Sequence, residues 1–244
     1  VPFRNRSLRI MCLSTARRRA PEADRWLGLT LALIAGSLNA GAFLMLSQYA
    51  SHMTGHLSQV AGALAGRDFR LVALSLAVLA LFVSGAALAS AMIARGNFPR
   101  ARGTYCAPLA LQGLLLGCLG FADAVPQAWQ GWAGLGLLAF AMGLQNATIT
   151  RISGARIRTT HATGLLTDMG IEIGRGLFGR GADGYDRARL VLFVQLVACF
   201  VLGGIAGVHG QQDMGWRFAL VPAAVLLALA AATAPRVFTV SIPS

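Results

Sequence analysis

Six apolar runs govern what this chain can become. They extend over Trp26 to Tyr49, Leu71 to Ala94, Tyr105 to Phe121, Trp129 to Ile149, Leu190 to Val208 and Trp216 to Ala234. A helix needs about 20 apolar residues to cross the hydrocarbon core of a bilayer, and each run meets or approaches that length. Trp26, Trp129, Trp132 and Trp216 stand at or near the starts of three runs, where amphipathic rings favour the membrane interface. Only 12% of the 244 residues are charged, about half the share in a soluble domain, and the mean hydropathy is +0.62. So few ionic groups cannot solvate a globular surface. That excludes an ordinary cytosolic enzyme and a disordered chain alike.

The formal charge of +12 raises the question of a nucleic-acid partner. All 21 basic residues are Arg, however, and they stand at the ends of apolar runs rather than along one helical face or between aromatics. No nucleic acid is expected; this is the pattern of a polytopic membrane protein with cytoplasmic Arg loops. Seven of them (Arg4, Arg6, Arg9, Arg17, Arg18, Arg19 and Arg25) lie in the first 25 residues, which read as a cytoplasmic tail without order until about Asp24.

Two further segments, Thr54 to Ala65 and Thr163 to Phe178, are weakly apolar and interrupted by polar groups. If neither crosses, 18 arginines fall on the side of the N-terminus and only Arg67, Arg70 and Arg217 on the other; if both cross, the split worsens to 14 and 7. The positive-inside rule therefore favours six spans with both termini cytoplasmic. The two short segments then enter and leave on one side, which backbone tolerates only where protein or a water-filled cavity surrounds it.

The sequence also repeats itself. The first run contains Gly36-Ser37-Leu38-Asn39-Ala40, followed by His52-Met53-Thr54-Gly55-His56-Leu57. The fourth contains Gly143-Leu144-Gln145-Asn146-Ala147, followed by His161-Ala162-Thr163-Gly164-Leu165-Leu166. Each half is thus a span with GxxNA, a loop, an HxTGxL segment and two more spans. Three spans per unit is an odd number, so the second copy is expected to be inverted in the membrane. The expected fold is an all-α membrane protein: six transmembrane helices as a 3+3 inverted repeat, each half with one short re-entrant or broken helix. Its parts are a basic tail (1–25), a first three-helix repeat (26–125), a second (126–236) and a C-terminal tail (237–244).

Met53-Thr54-Gly55, the Gly143 to Ala147 stretch and the Arg158 to Gly170 stretch together resemble the YoaK-like family of bacterial integral membrane proteins, whose function is unknown. The resemblance covers about Leu27 to Ala234, with the second-half motif the more specific. The chain departs from the family's usual Asn-Thr after the first Thr-Gly, carrying His56-Leu57 there. The resemblance implies residence in a bacterial inner membrane and about six spans; it supplies no substrate.

Thr54-Gly55 and Thr163-Gly164 open short helices, whose free N–H groups and positive dipole ends favour an anion. Converging from opposite faces, the two ends would build one site near the midplane, with Asn39 and Asn146 beside it. The substrate-binding candidates are accordingly Asn39, Thr54, Gly55, Asn146, Thr163 and Gly164. The plainer reading of the same residues is mechanical: small residues let helices approach and the two amides staple the short helices in place. Asp168, Glu172 and Arg175 follow at helical spacing on one face. An acid at membrane depth is a candidate for coupling to a proton or cation, so Asp168 and Glu172 are the coupling candidates, with an interfacial ion pair to Arg175 or Arg158 as the alternative. His52, His56 and His161 read as loop histidines. Cys12, Cys106, Cys118 and Cys199 form no CxxC pair and have no His at ligand spacing, so neither a metal nor another cofactor is expected.

The reading that follows is a small secondary transporter or channel for a small anionic solute. The alternative is a non-transporting scaffold or regulatory protein in which the motifs only lock helix packing. A membrane-embedded enzyme has no GxSxG, HExxH or Walker A motif to stand on, and no catalytic residue is assigned. The expected partners are the bilayer and the solute, and self-association into a homo-oligomer is compatible with the sequence.

Overall fold

The computed structural model describes residues 21–95, 105–154, 157, 159–179 and 186–233. Most of the basic tail, Cys12, Arg100, Arg102, Arg156, Arg158, Arg180, Arg236 and the C-terminal tail lie outside them. Among the described residues the chain is all-α: α1 (Pro21–Leu46), α2 (Met53–Ala65), α3 (Phe69–Arg95), α4 (Cys106–Leu119), α5 (Gln127–Ser153), α6 (Ala162–Phe178), α7 (Arg187–Met214) and α8 (Leu220–Thr233). Single 3-10 turns occupy Ala122–Ala124 and Gly215–Ala219. α1 starts with proline and carries Glu22 and Asp24 in its first turn, both favourable at the positive end of a helix. α5 stops at Gly154, whose φ of 59° is the left-handed conformation suited to glycine after a helix.

Four helical stretches are long and apolar enough to cross a membrane: Asp24–Leu46, Phe69–Arg95, Gln127–Ser153 and the 47-residue Arg187–Thr233. Within the last, Gly215 (φ 58°, ψ −141°) separates α7 from α8. α4 is apolar but only 14 residues long, or about 21 Å. These helices mark a multi-pass membrane protein. Of the most apolar part of each stretch, 61% is buried in Gln127–Ser153 and 50% in Asp24–Leu46, against 17% in Phe69–Arg95 and 22% in Arg187–Thr233. α5 and α1 therefore form the centre, while α3 exposes Leu76 and Val83, and α7 exposes Val201 and Leu202, as helices facing lipid do.

Two pairs of parallel helices dominate the packing: α1 with α7, and α3 with α5. Glycines decide these contacts. A Cβ on Gly36 would be driven into the carbonyl oxygen of Phe200, and one on Gly203 into that of Leu33. A Cβ on Gly143 would likewise meet the carbonyl of Phe82, and one on Gly85 that of Phe140. Both pairs thus touch backbone to backbone, which only glycine permits. The third contact, α4 with α8, is antiparallel, because Gly113 faces Leu227 and Ala223 while Gly120 faces Leu220.

The charges separate in space as they do in sequence. Arg25 donates to Gln195 (2.7 Å) and Arg151 to Ser90 (3.0 Å), which puts the starts of α1 and α7 on the same side as the ends of α3 and α5. Arg95, Arg175, Arg187 and Arg189 share that face. Opposite, Arg70 lies over the Trp132 ring at 5.5 Å and Arg217 is 3.9 Å from Asp123. This second face holds Arg67, Arg70 and Arg217.

Candidate functional site

Each short helix begins level with an asparagine of the long helix before it, and each is tied there by that asparagine. Asn39 Oδ1 accepts from the Ser51 backbone N–H (3.1 Å) and hydroxyl (3.0 Å), just ahead of α2. Asn146 Oδ1 accepts from the Thr160 hydroxyl (2.8 Å), just ahead of α6, while its amide nitrogen donates to the Met142 carbonyl. From Asn39 to the end of α1, and equally from Asn146 to the end of α5, a helix rises about 10 Å. Each asparagine therefore draws the returning chain about that far back along the long helix before the short helix starts. α2 then runs out along α3 to the Arg-poor face, and α6 along α7 to the Arg-rich face.

The two helix starts are alike in detail. His52 precedes α2 with φ −92° and ψ 70°, and His161 precedes α6 with φ −86° and ψ 60°; neither start has a capping side-chain hydrogen bond. The N–H groups at Met53, Thr54 and Gly55, and at Ala162, Thr163 and Gly164, thus take no side-chain cap. Thr54 and Thr163 are exposed, Gly55 and Gly164 half-buried. A Cβ on Gly55 would lie 2.6 Å from the His52 imidazole Nδ1, so a larger residue there would have to turn that exposed ring aside.

The structure joins Asn39 to the Thr54-Gly55 element and Asn146 to the Thr163-Gly164 element. Among the described residues no hydrogen bond or ion pair links the two sets. A void of about 10 Å³, room for about one water, lies between Leu38, Ala42, Leu119, Leu138, Trp216 and Gln211; none of its lining residues belongs to either Thr-Gly element.

The two acids differ sharply in placement. Asp168 is 44% exposed and stands 3.7 Å from Arg189. Glu172 is 2% exposed. One of its oxygens meets Arg175 at 3.2 Å and Arg189 at 3.7 Å, and the other accepts the Asp186 backbone N–H at 3.0 Å. Asp186 itself caps α7 by accepting from the Arg189 N–H. The cluster bolts the outer part of α6 to the start of α7. Gln59, five residues after Thr54 as Asp168 is after Thr163, makes neutral bonds instead: it accepts from Ser75 of α3 and donates to Gln48 of the loop before α2.

Three features escaped the sequence reading. Gln112 and Gln145 are fully buried; Gln112 donates to Gln145 (2.7 Å), whose amide reaches the Leu31 carbonyl (2.9 Å) and the Thr159 hydroxyl (3.2 Å). A glutamine inside an apolar run was the available signal, because a buried amide must be bonded. Ser51 and Thr160, the partners of the two asparagines, stand three residues before the repeated threonines and could have been found by that register. His56 is not a loop residue: it lies in the first turn of α2, 3% exposed.

A profile of the family described as "Protein of unknown function (DUF1275)" matches residues 27–233. No curated protein and no solved structure matches the chain. The chain belongs to this family, whose description names neither YoaK nor a membrane.

Proposed function

We propose that this member of the family is a small secondary transporter or channel for a small anionic solute, YoaK-like and resident in a bacterial inner membrane. The observation that carries the reading is the pair of uncapped helix starts, each held about 10 Å back along the long helix by the same asparagine device and each offering N–H groups and a positive dipole end. The proposed architecture is six spans with both termini cytoplasmic, the halves being a 3+3 inverted repeat. What supports the inversion is that corresponding glycines make corresponding contacts: Gly36 on Phe200 and Gly203 on Leu33 are matched by Gly143 on Phe82 and Gly85 on Phe140. Asp68 and Asp186 also cap the following spans alike, by accepting from Leu71 and Arg189. The first span of each half thereby packs on the second span of the other. No chemical step, cofactor or nucleic acid enters the reading.

Two experiments test it. Single cysteines at Pro126 and Gln211 are expected to react with an impermeant thiol reagent from the external side; reaction only from the cytoplasm would sink the six-span topology. In proteoliposomes, formate, acetate, nitrate or phosphate is expected to accumulate several-fold above empty vesicles, with a pH profile that changes in Asp168→Asn. An unchanged profile removes Asp168 from coupling. Preference for cations, or no solute movement, removes the anion site and favours the scaffold alternative. That alternative has one observation of its own: the side-chain oxygens of Asn39 and Asn146 already serve their own chain.

A further inference from the structure

We propose that the Arg-rich face binds two anionic phospholipids, one at the end of each close helix pair, with the phosphate on Arg25 in one and on Arg151 in the other. The charge of this chain is entirely one-sided. The six-span arrangement puts 18 arginines with six acids on the Arg-rich face, against three arginines with three acids (Asp68, Asp123 and Asp213) on the other. The whole formal charge of +12 therefore belongs to one face, and the other is balanced. A membrane protein charged in this way complements an anionic leaflet, and each arginine near the surface adds to the attraction.

The arginines divide by the partner that holds them. On the balanced face Arg217 stands 3.9 Å from Asp123. On the Arg-rich face Arg175 and Arg189 are taken by Glu172 and Asp168. Arg25 and Arg151 are held differently. Arg25 sits where α1 enters its pair with α7, and its Nε and Nη2 both donate to the amide oxygen of Gln195, at 3.0 and 2.7 Å. Arg151 sits where α5 leaves its pair with α3, and its Nη2 donates to the Ser90 hydroxyl at 3.0 Å. Both acceptors are neutral, so they fix the direction of each guanidinium and leave its charge whole. Glu22 and Asp24 stand just before Arg25, yet among the described residues no carboxylate is in ion-pair contact with Arg25 or Arg151. A guanidinium carries more N–H donors than these bonds use, and the oxygens of a phosphate are well matched to its planar fork.

The surroundings suit a lipid rather than a free ion. Trp26, next to Arg25, is 71% exposed, and an indole at that place favours the interface where headgroups lie. Deeper along α7 from Gln195, Val201 and Leu202 are exposed, and deeper along α3 from Ser90, Leu88 and Val83 are exposed. A headgroup on either arginine thus has apolar side chains further along the same helix pair for its acyl chains. Lipid binding of this kind needs no transported solute, and it stands or falls apart from the transporter reading.

The test uses the full chain in dodecyl maltoside, with bound lipid counted by native mass spectrometry during titration with dioleoyl phosphatidylglycerol or dioleoyl phosphatidylcholine. Two phosphatidylglycerol molecules are expected to bind about tenfold more tightly than phosphatidylcholine. Arg25→Gln and Arg151→Gln are each expected to weaken one of the two by about fivefold, the share of one arginine near an anionic surface. The double variant should lose the preference, and Arg217→Gln, on the balanced face, should keep it. Salt gives a second measurement on the unaltered chain: raising ammonium acetate from about 0.05 to about 0.5 M should cut the preference several-fold. Equal affinity for the two lipids, a preference that survives salt or the double substitution, or displacement of phosphatidylglycerol by millimolar inorganic phosphate overturns the lipid site. The last of these would make it a site for a free anion.

Discussion

Replacing Gly143 with alanine is expected to cost this protein about 3 kcal/mol or more of stability, at the top of the range for overpacking. The new Cβ meets the carbonyl of Phe82, which is backbone and cannot rotate away, so α3 and α5 must separate along their crossing. Gly36→Ala acts the same way on α1 and α7 through Phe200. Gly62→Ala and Gly170→Ala are the controls. Nothing lies within 4 Å of a Cβ at either position, so they should be neutral or better, since alanine is the stronger helix former by about 0.5–1 kcal/mol. Unfolding by SDS titration in mixed micelles, followed by circular dichroism, compares all four. Equal curves for Gly143→Ala and Gly62→Ala would show that the helices are not in backbone contact.

Glu172→Ala should have the next largest effect, a loss of about 1–2 kcal/mol, because the carboxylate is buried and hydrogen-bonded while its arginine partners are half exposed and return to water. The Asp186 N–H would lose its acceptor, and Arg189 and Arg175 would lose their buried carboxylate. Asp168→Ala breaks a half-exposed contact to the same Arg189 and should cost less than about 1 kcal/mol. Glu172→Gln keeps an acceptor for the Asp186 N–H and should fall between the two. The same SDS titration ranks them. If Asp168→Ala proves the more damaging, the bolt between α6 and α7 has been assigned to the wrong acid.

That ordering was not legible in the sequence. Asp168 and Glu172 are one helical turn apart, and spacing places them on one face without saying which side α7 covers. Asp186, fourteen residues further on, decides it by bringing a backbone N–H against Glu172. His56 was misread for a related reason. A histidine after Thr-Gly looks the same in a loop or a first turn, and only the structure shows it buried, with its Nε2 at the Tyr49 carbonyl of the returning loop. The asparagines show the opposite case. An amide within an apolar run has to be bonded, so a stapling role was readable, whereas its partners Ser51 and Thr160 came with the structure.

The sequence alone determined the helices and the two interruptions. The apolar runs, the short segments at 54–65 and 163–178, and the one-sided arginines are local properties, written in consecutive residues and governed by the energy of moving them out of water. The matching elements are α2 at Met53–Ala65 and α6 at Ala162–Phe178, within a residue of those segments. Which helices touch was decided only in three dimensions. Gly36 and Gly62 are both glycines in apolar helices, yet one lies against the backbone of α7 and the other has nothing beside it. Hydropathy cannot separate them, because lipid and a neighbouring helix are equally apolar. The difference is contact between backbones far apart in sequence, and it exists only once α1 and α7, or α3 and α5, have come together.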